Sequence, residues 1–390
     1  MPKIIITDAR WRKSLSAIRA LGATNYIIAI GHSIFDMGLW SVYVNSRYIF
    51  PNIKHRKKYK ERLSSLLKKC IDLDGELPIL IPMEDDTIDA IINDNEILNN
   101  CKCLLPNYNS FSTANNKKTT MKHAENIGID IPSTICFNDP DELTNYLCRI
   151  NRNNLVIKPE ISRGTLGLIY CSEETVLKKI KENWLNYGKL IVQDRIPQEG
   201  ESICVGLLYT DKHELYSCFV YKRLRCYPIS GGPSTCRVSI VHPELVEKSC
   251  TLMESLDWVG VAMVEWKKDC RDDKYKLLEI NPRFWGGLEL AIKSGVNFPQ
   301  HYVNILTNIN NTKITIDYKQ GVISRWIFPG DILWLLSKKN KKVTDYRCFI
   351  KNILKESDEW NKNDILGSIA SIICQIIQSF NPANWKYIFK

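Results

Sequence analysis

The segment Leu278-Glu279-Ile280-Asn281-Pro282-Arg283 combines carboxylate, amide and guanidinium groups at alternate positions of a 390-residue chain. It ends a predicted strand, in which successive side chains point to opposite faces. Glu279 and Asn281 therefore share one face, and Arg283 extends the same row. Carboxylate and amide oxygens suit Mg²⁺ bound together with nucleotide phosphates, and a guanidinium can grip phosphoryl or carboxylate oxygens in pairs. The segment predicts a metal and phosphate site.

A predicted hairpin brings a second carboxylate to this face. Its strands, 259–267 and 275–281, are joined by the charged turn 269–274. Glu265 lies inside the first strand and can fall on the same face as Glu279 when the two strands pair. Glu265, Glu279 and Asn281 are therefore the candidate metal ligands.

Two lysines and a glycine-bearing loop precede this hairpin. Lys158 ends the apolar strand 155–158, and a buried lysine indicates an anionic partner such as a phosphate. The loop 162–167 follows it and offers backbone N–H groups that can fold over phosphates as a lid. Lys117 opens a helix after the polar stretch 107–116 and could reach the same nucleotide from another side.

Composition excludes several other functions. The net charge is +10, but the basic residues are spread along the chain and form no aromatic-plus-basic platform, so a nucleic-acid partner is not expected. Fourteen cysteines lack the spacing of zinc sites, and free thiols indicate a reducing cytoplasm. No apolar stretch reaches the roughly 20 residues that span a bilayer.

The chain is predicted to divide into four regions. The first, 1–112, alternates strands with helices as parallel sheets do, but lacks G-x-G-x-x-G, so it is Rossmann-like in architecture only. The regions 113–190 and 191–312 come next, and the second contains the predicted hairpin. Residues 313–390 are expected to form a helical cap, or alternatively an amphipathic contact with a membrane or partner protein.

Taken together, these residues resemble the ATP-grasp superfamily, most closely the carboxylate–amine ligase and carbamoyl-phosphate-synthase-like group. The motifs that carry the resemblance are the run from Arg223 to Thr235 with Ser230-Gly231-Gly232-Pro233, the strand Gly260–Glu265, and Glu279–Gly286. The resemblance implies an α/β fold: a Rossmann-like pre-ATP-grasp domain, a two-lobed ATP-grasp fold with its small lobe at 113–190 and its large lobe with the metal site at 191–312, and a helical C-terminal region.

The resemblance also implies roles for individual residues. Glu265, Glu279 and Asn281 would bind Mg²⁺, two ions being expected and Mn²⁺ an alternative. Glu201 would hold the ribose, with Glu199 as a substitute. The residues implied to contact the phosphates and the adenine are Lys117, Lys158, Ser162, Gly164, Thr165, Gly167, and the hinge Gln193, Asp194, Arg195 and Ile196. Those implied to act on the transferred phosphoryl group are Arg283, Lys222, Arg223 and Arg225.

Two positions depart from the family pattern. The hinge begins with Gln193 where an acidic residue is usual, and Gln198 stands where a glycine follows the hinge proline. The loops 31–36 and 230–235, together with Arg237, are expected to line the substrate pocket.

The implied activity is an ADP-forming ligation of a carboxylate to an amine through an acyl phosphate. Activation of bicarbonate or another small acid, and a non-catalytic ATP-binding protein, are the alternatives. The partners are then small-molecule substrates, and a homodimer is an open alternative to a monomer.

Overall fold

The computed structural model describes residues 2–162, 166–171, 175–309, 317–338 and 342–380. Its first lobe is a parallel four-stranded sheet in the order β3-β2-β1-β4. The isoleucine-rich strands are buried between layers of helices, as parallel sheets require. The elements are β1 (Ile4–Ile6), α1 (Arg12–Leu21), β2 (Ile27–Gly31), the 3₁₀ turn Met37–Trp40, β3 (Ser46–Ile49), α2 (Arg56–Asp74), β4 (Ile79–Ile81), α3 (Asp85–Ile91) and α4 (Asn95–Leu98).

A smaller antiparallel sheet follows, in the order β5-β8-β6-β7. Its elements, with the two helices before it, are α5 (Tyr108–Asn115), α6 (Lys117–Asn126), β5 (Thr134–Cys136), α7 (Pro140–Cys148), β6 (Leu155–Pro159), β7 (Ile169–Tyr170), α8 (Val176–Tyr187) and β8 (Leu190–Asp194). The division expected after residue 190 stays a prediction. Because β8 pairs with β5 and β6, a division after Asp194 keeps this sheet whole.

The polar stretch 107–116 was expected to be a linker and is instead mostly helical. Asn107 accepts a hydrogen bond from the Ser110 N–H and so caps α5. Phe111 and Ala114 are buried on the inner face of this helix. Two buried apolar residues and a cap are enough to order a segment whose composition alone favours a loop.

The third sheet has six strands in the order β13-β12-β9-β10-β11-β14, all antiparallel. One face packs on the first lobe in a shared apolar core, and the other packs on α6 and α9. The elements are β9 (Ser202–Tyr209), β10 (Leu215–Cys226), β11 (Ser234–Ile240), α9 (Pro243–Glu254), β12 (Gly260–Asp269), β13 (Lys274–Asn281), α10 (Leu288–Ser294), α11 (Phe298–Leu306) and β14 (Ile323–Arg325).

The C-terminal region is helical, as expected, but only after residue 326. The strand β14 lies within the region assigned to the cap and extends the large sheet by pairing with β11. A π-helical turn, Ile327–Asp331, leads into α12 (Ile332–Ser337), α13 (Val343–Ile350), α14 (Ile353–Glu356) and α15 (Ile365–Phe380). Among the helices described, none is both long enough and apolar enough to cross a membrane.

Candidate active site

The predicted hairpin forms and brings its polar residues together. Glu265 on β12 lies opposite Glu279 on β13, and Met263 lies opposite Asn281. The amide nitrogen Nδ2 of Asn281 is 3.3 Å from Oε1 of Glu279 and 3.4 Å from Oε1 of Glu265. The three candidate ligands therefore share one face of the large sheet, and this part of the sequence prediction is confirmed.

Burial and nearby cations shift the pKa values of the two carboxyl groups in opposite directions. Burial raises the pKa of Glu265, although the guanidinium of Arg223 touches its Oε1 atom and acts in the other direction. Burial also acts to raise the pKa of Glu279, but the charges of Lys117, Lys158 and Arg223 outweigh it, so that pKa is lowered. The pair thus retains a carboxylate charge inside a largely buried site.

The donor set fits Mg²⁺ completed by phosphate oxygens. In the ranges that the structure describes, no group of three or more His, Cys, Asp or Glu side chains converges as a metal site. Two glutamates and one asparagine are fewer ligands than a cage made by protein alone would need. Mg²⁺ is commonly held by one or two carboxylates plus substrate phosphates, and that is the arrangement these residues allow.

Two lysines, one at the start of α6 and one on β6 of the smaller sheet, reach this hairpin. Lys117 is buried, with Nζ 3.4 Å from Oε2 of Glu279, and it donates to the carbonyl and hydroxyl oxygens of Ser162 at 3.2 and 3.3 Å. Lys158 donates to Oε1 of Gln193 at 2.9 Å. Burial lowers the pKa of Lys158 to about 8, against the raising effect of Glu279. Two cations, one from α6 and one from the smaller sheet, thus face the acidic hairpin.

The lid is only partly described, because Gly164 and Thr165 lie outside the described residues. Gly167 has a φ of 70°, and a Cβ there would come within 2.6 Å of Pro159, so glycine is required. In the hinge, the amides of Asp194 and Arg195 donate to carbonyls of neighbouring segments at 2.9 and 2.7 Å. The Gln193 side chain is buried against Lys158.

A cavity of about 670 Å³ lies beside this site and is bordered by both lobes. Gly167 and Gln193 do not line it. The predicted residues that do line it are Lys117, Lys158, Ser162, Asp194, Arg195, Ile196, Glu201, Lys222, Arg223, Arg225, Glu265, Glu279, Asn281 and Arg283. Ser230 and Gly231 also line it, and Gln198 ties this loop to the hinge by donating to the Ser230 carbonyl oxygen at 2.6 Å.

The three cations of β10 diverge although they are close in sequence. Arg223 reaches Glu265, whereas Lys222 lies beside Ile203 on the other face of the sheet and contacts Glu201. Arg225 binds Asp331, with Nη1 2.9 Å from Oδ2, and stacks 4.3 Å above the ring of Trp334. Of these three, only Arg223 contacts a candidate metal ligand.

Arg283 joins the hairpin to the first lobe. Its Nε atom lies 2.9 Å from Oδ2 of Asp85, and its Nη2 atom donates to Oδ1 of Asn281 at 3.2 Å. Glu84 lies within 4.0 Å as well. The acidic neighbours Asp85 and Glu84 raise the pKa of the guanidinium against the effect of burial. Acidic residues of the first lobe therefore orient the Arg283 guanidinium group beside the candidate metal ligand Asn281.

Sequence reasoning missed a second cluster at the cavity wall. Asp358 of the C-terminal region accepts from Nη1 of Arg12 at 2.7 Å and from Nη2 of Arg237 at 2.5 Å. Arg237 also donates to the Gly286 carbonyl oxygen at 2.8 Å. Both arginines line the cavity, as does Trp334. No motif marks Arg12, Trp334 or Asp358, because they come from regions far apart in the sequence.

The expectation that the loop 31–36 lines the substrate pocket is wrong for the cavity described. Asp36 instead closes the loop on itself by accepting from the N–H groups of His32 and Ser33. Nε2 of His32 lies 3.8 Å from Oδ1 of Asp8. The loop leads into the turn Met37–Trp40, which packs against α15 away from the hairpin.

The architecture is similar to that of several solved enzymes. N5-carboxyaminoimidazole synthetase from Staphylococcus aureus is 10% identical, with 82% of this chain and 80% of that chain covered at a TM-score of 0.61. L-amino acid ligase from Bacillus licheniformis is 13% identical, with 81% and 78% covered at 0.60. The biotin carboxylase domain of 2-oxoglutarate carboxylase from Hydrogenobacter thermophilus, in complex with MgADP, ADP and bicarbonate, is 12% identical, with 82% and 73% covered at 0.62.

The chain therefore has the ATP-grasp fold that its motifs predicted. More particularly, residues 190–327 match the model of the family described as ATP-grasp in the biosynthetic pathway with Ter operon. That segment holds the hinge, the hairpin and the three cations of β10. No protein with a curated description matches the sequence.

Proposed function

We propose that this protein is an ATP-dependent ligase that activates a carboxylate as an acyl phosphate and joins it to an amine. The observation that carries the proposal is the convergence of Lys117 from α6 and Arg223 from β10 on the pair Glu265 and Glu279. Phosphoryl transfer from a triphosphate to a carboxylate brings two anions together, so cations and a metal must offset their repulsion.

The proposed reaction has two steps. A carboxylate oxygen of the acid attacks the γ-phosphorus, the bond from that phosphorus to the β–γ bridging oxygen breaks, and ADP leaves with the electron pair. The amine nitrogen then attacks the acyl carbon, phosphate leaves with the electrons of the carbon–oxygen bond, and the nitrogen loses one proton. The products are an amide, ADP and phosphate.

The hairpin and the lysines would bind the nucleotide. Glu265, Glu279 and Asn281 would hold two Mg²⁺ ions, or Mn²⁺ in their place. When bound, the metal neutralises charge on the phosphate oxygens. Lys117 and Lys158 would contact the phosphates, and both line the described cavity.

The hinge and an adjoining glutamate would hold the nucleoside. Asp194, Arg195 and Ile196 line the cavity and would face the adenine, with Gln193 behind them. Glu201 would hold the ribose, and both of its carboxylate oxygens are oriented, one by Lys222 and one by the Tyr275 hydroxyl group at 3.1 Å. Glu199 lines the same cavity and remains the alternative ribose ligand.

The acid would lie beyond Arg283, towards Arg12 and Arg237. Arg223 and Arg283 adjoin the metal ligands and would stabilise the transferred phosphoryl group, whereas Lys222 and Arg225 would support the site through their partners Glu201 and Asp331. The Arg12 and Arg237 guanidinium groups favour an acid with a further anionic or polar group. We also propose a cytoplasmic location, supported by the free thiols of the thirteen described cysteine side chains.

One experiment distinguishes this activity from the alternatives. Phosphate release from ATP is measured with a panel of carboxylates and amines and with bicarbonate, and hydroxylamine is used to trap any acyl phosphate as a hydroxamate. Hydroxamate formed from an organic acid supports the ligase. Release with bicarbonate alone supports small-acid activation, which the bicarbonate bound in the 2-oxoglutarate carboxylase structure makes the second candidate. No release with any pair leaves a non-catalytic ATP-binding protein.

A further inference from the structure

The helix α15 exposes its apolar side chains and buries its polar ones. All eight of its isoleucine, leucine and phenylalanine side chains are exposed, from 37% at Ile376 to 75% at Phe380. The residues that it buries are Gly367, Ser368, Ser371, Cys374 and Gln375. Surface helices of globular proteins show the reverse arrangement. A stripe of this size indicates that something apolar covers it.

Specific polar contacts fix the helix in this orientation. The Ser368 hydroxyl group accepts from Nη2 of Arg19 at 3.0 Å, and Oε1 of Gln375 accepts from the indole N–H of Trp326 at 2.6 Å. At the start of the helix, Asp364 accepts from the Gly367 N–H at 3.1 Å and from Nε of Arg19 at 2.8 Å. Turning the isoleucines inward would break these buried bonds, at a cost to each group left unpaired.

The apolar surface continues onto the first lobe. The Val42 N–H donates to Oδ1 of Asp364 at 3.0 Å, so Val42 lies beside the first turn of the helix. Trp40 belongs to the turn that packs on α15, and the side chains of Trp40 and Val42 are both exposed. These two residues and the eight apolar side chains of α15 together form what we call the α15 face.

Exposed charge in this part of the chain is predominantly positive. The helix itself contains no charged residue. Of the acids at 351–364, Asp358, Glu359 and Asp364 are buried and Glu356 is paired with Arg325, whereas Lys355 and Lys362 are exposed. The sequence after the helix, 381–390, adds three aromatic residues and two lysines and no acid.

We propose that the α15 face rests on an anionic lipid bilayer. An exposed apolar helix face can enter the boundary between headgroups and acyl chains, and lysines beside it are attracted to anionic headgroups. Aromatic residues concentrate at the same depth. A second copy of this chain would also cover the apolar stripe, but it would bring the same lysines together, so the charge favours lipid. The proposal does not depend on which substrates the active site takes.

Vesicle binding by the full chain tests this proposal. Co-sedimentation is measured with vesicles of phosphatidylcholine alone and of phosphatidylcholine mixed with phosphatidylglycerol, at low and high salt. The variant carries Ile369→Gln and Ile373→Gln, which remove two exposed apolar side chains without adding charge. Leu185→Gln on α8 is the control, because Leu185 is 88% exposed and is distant from α15 in the sequence. We expect binding to the mixed vesicles that falls with salt, is about tenfold or more weaker in the double variant, and is unchanged in the control.

Two results would overturn the proposal. One is the absence of binding to the mixed vesicles, or equal binding by the double variant and the wild type. The other is a dimer, measured by light scattering, that the double variant converts to a monomer while neither protein binds vesicles. Such a dimer would assign the α15 face to a second copy of the chain. The melting temperature of the double variant verifies folding, and the single change Phe380→Ser replaces it if folding is lost.

Discussion

Glu265 and Glu279 face each other on adjacent strands, and the Asn281 amide nitrogen lies within 3.4 Å of both. Two buried carboxyl groups this close disfavour each other's ionisation. The chain offsets the repulsion from two directions, with Arg223 against Glu265 and Lys117 against Glu279. The hairpin is therefore where cations from α6 and β10 meet two carboxyl groups, which is the property that phosphate and metal binding both require.

Lys117 and its neighbour Lys118 provide a matched pair for testing phosphate binding. Lys117 is buried at the hairpin, whereas the Lys118 side chain is 38% exposed. Removing a charged hydrogen-bond donor costs roughly 1.5–3 kcal/mol, or about ten- to a hundredfold in affinity. We expect Lys117→Met to weaken ATP binding by that factor in isothermal titration calorimetry, and Lys118→Met to change it by less than about threefold. Equal losses in the two variants would contradict a specific role for Lys117.

Asp358 is expected to stabilise the fold by neutralising two arginines. Its Oδ2 atom accepts from both Arg12 and Arg237, and the Asp358 and Arg237 side chains are almost fully buried. Asp358→Asn keeps the size of the side chain but leaves two guanidinium groups without their counter-charge. Breaking a buried ion pair in this way costs about 3–5 kcal/mol. Urea unfolding should show a loss of that order, whereas Asp273→Asn at an exposed turn should change the stability by less than about 1 kcal/mol.

Lys13 gives the stability of the fold a pH dependence in the alkaline range. Its Nζ atom lies 2.7 Å from Oε1 of Glu84 and donates to the Phe284 carbonyl oxygen at 2.9 Å. Burial, helped by the charge of Arg283, lowers the pKa of Lys13 from 10.5 to about 8. Between those pH values the unfolded chain binds more protons than the folded chain, so this group makes the free energy of unfolding rise with pH.

The comparison of wild type with Lys13→Met isolates this contribution. The difference in the free energy of unfolding, wild type minus variant, should become more positive between pH 8 and 10.5, by up to about 3 kcal/mol. Urea unfolding at a series of pH values in reducing buffer measures that difference. Curves that stay parallel over this range would show that the pKa of Lys13 is not lowered by folding.

The metal-ligand row could be predicted because its chemistry is local in the sequence. Glu279 and Asn281 alternate along one strand, Arg283 follows two residues after its end, and the hairpin that adds Glu265 is closed by a short turn. Strand periodicity alone then places three oxygen ligands on one face. Lys158 at the end of the apolar strand 155–158 was identifiable for a similar reason, since a charge within an apolar run needs a partner.

The ion pairs within the cavity wall could not be predicted because they join distant segments. Arg237 was expected to line the pocket, but its partner Asp358 and the second arginine, Arg12, come from two other regions and sit in no recognisable motif. The partners of Lys222 and Arg225 likewise depend on where Glu201 and Asp331 fold. Two elements were missed because tertiary packing outweighs composition: the helix α5 in a polar stretch, and the strand β14 in a region expected to be helical.

The most direct test of the metal and phosphate site is Mg²⁺-dependent nucleotide binding by Glu279→Gln. Affinity for a non-hydrolysable ATP analogue is measured by calorimetry with and without Mg²⁺, for wild type, Glu279→Gln and the exposed control Glu247→Gln. We expect Mg²⁺ to strengthen binding by about tenfold or more in the wild type and the control, and by less than about twofold in Glu279→Gln. An undiminished Mg²⁺ effect in Glu279→Gln would contradict the assignment of this hairpin as the metal site.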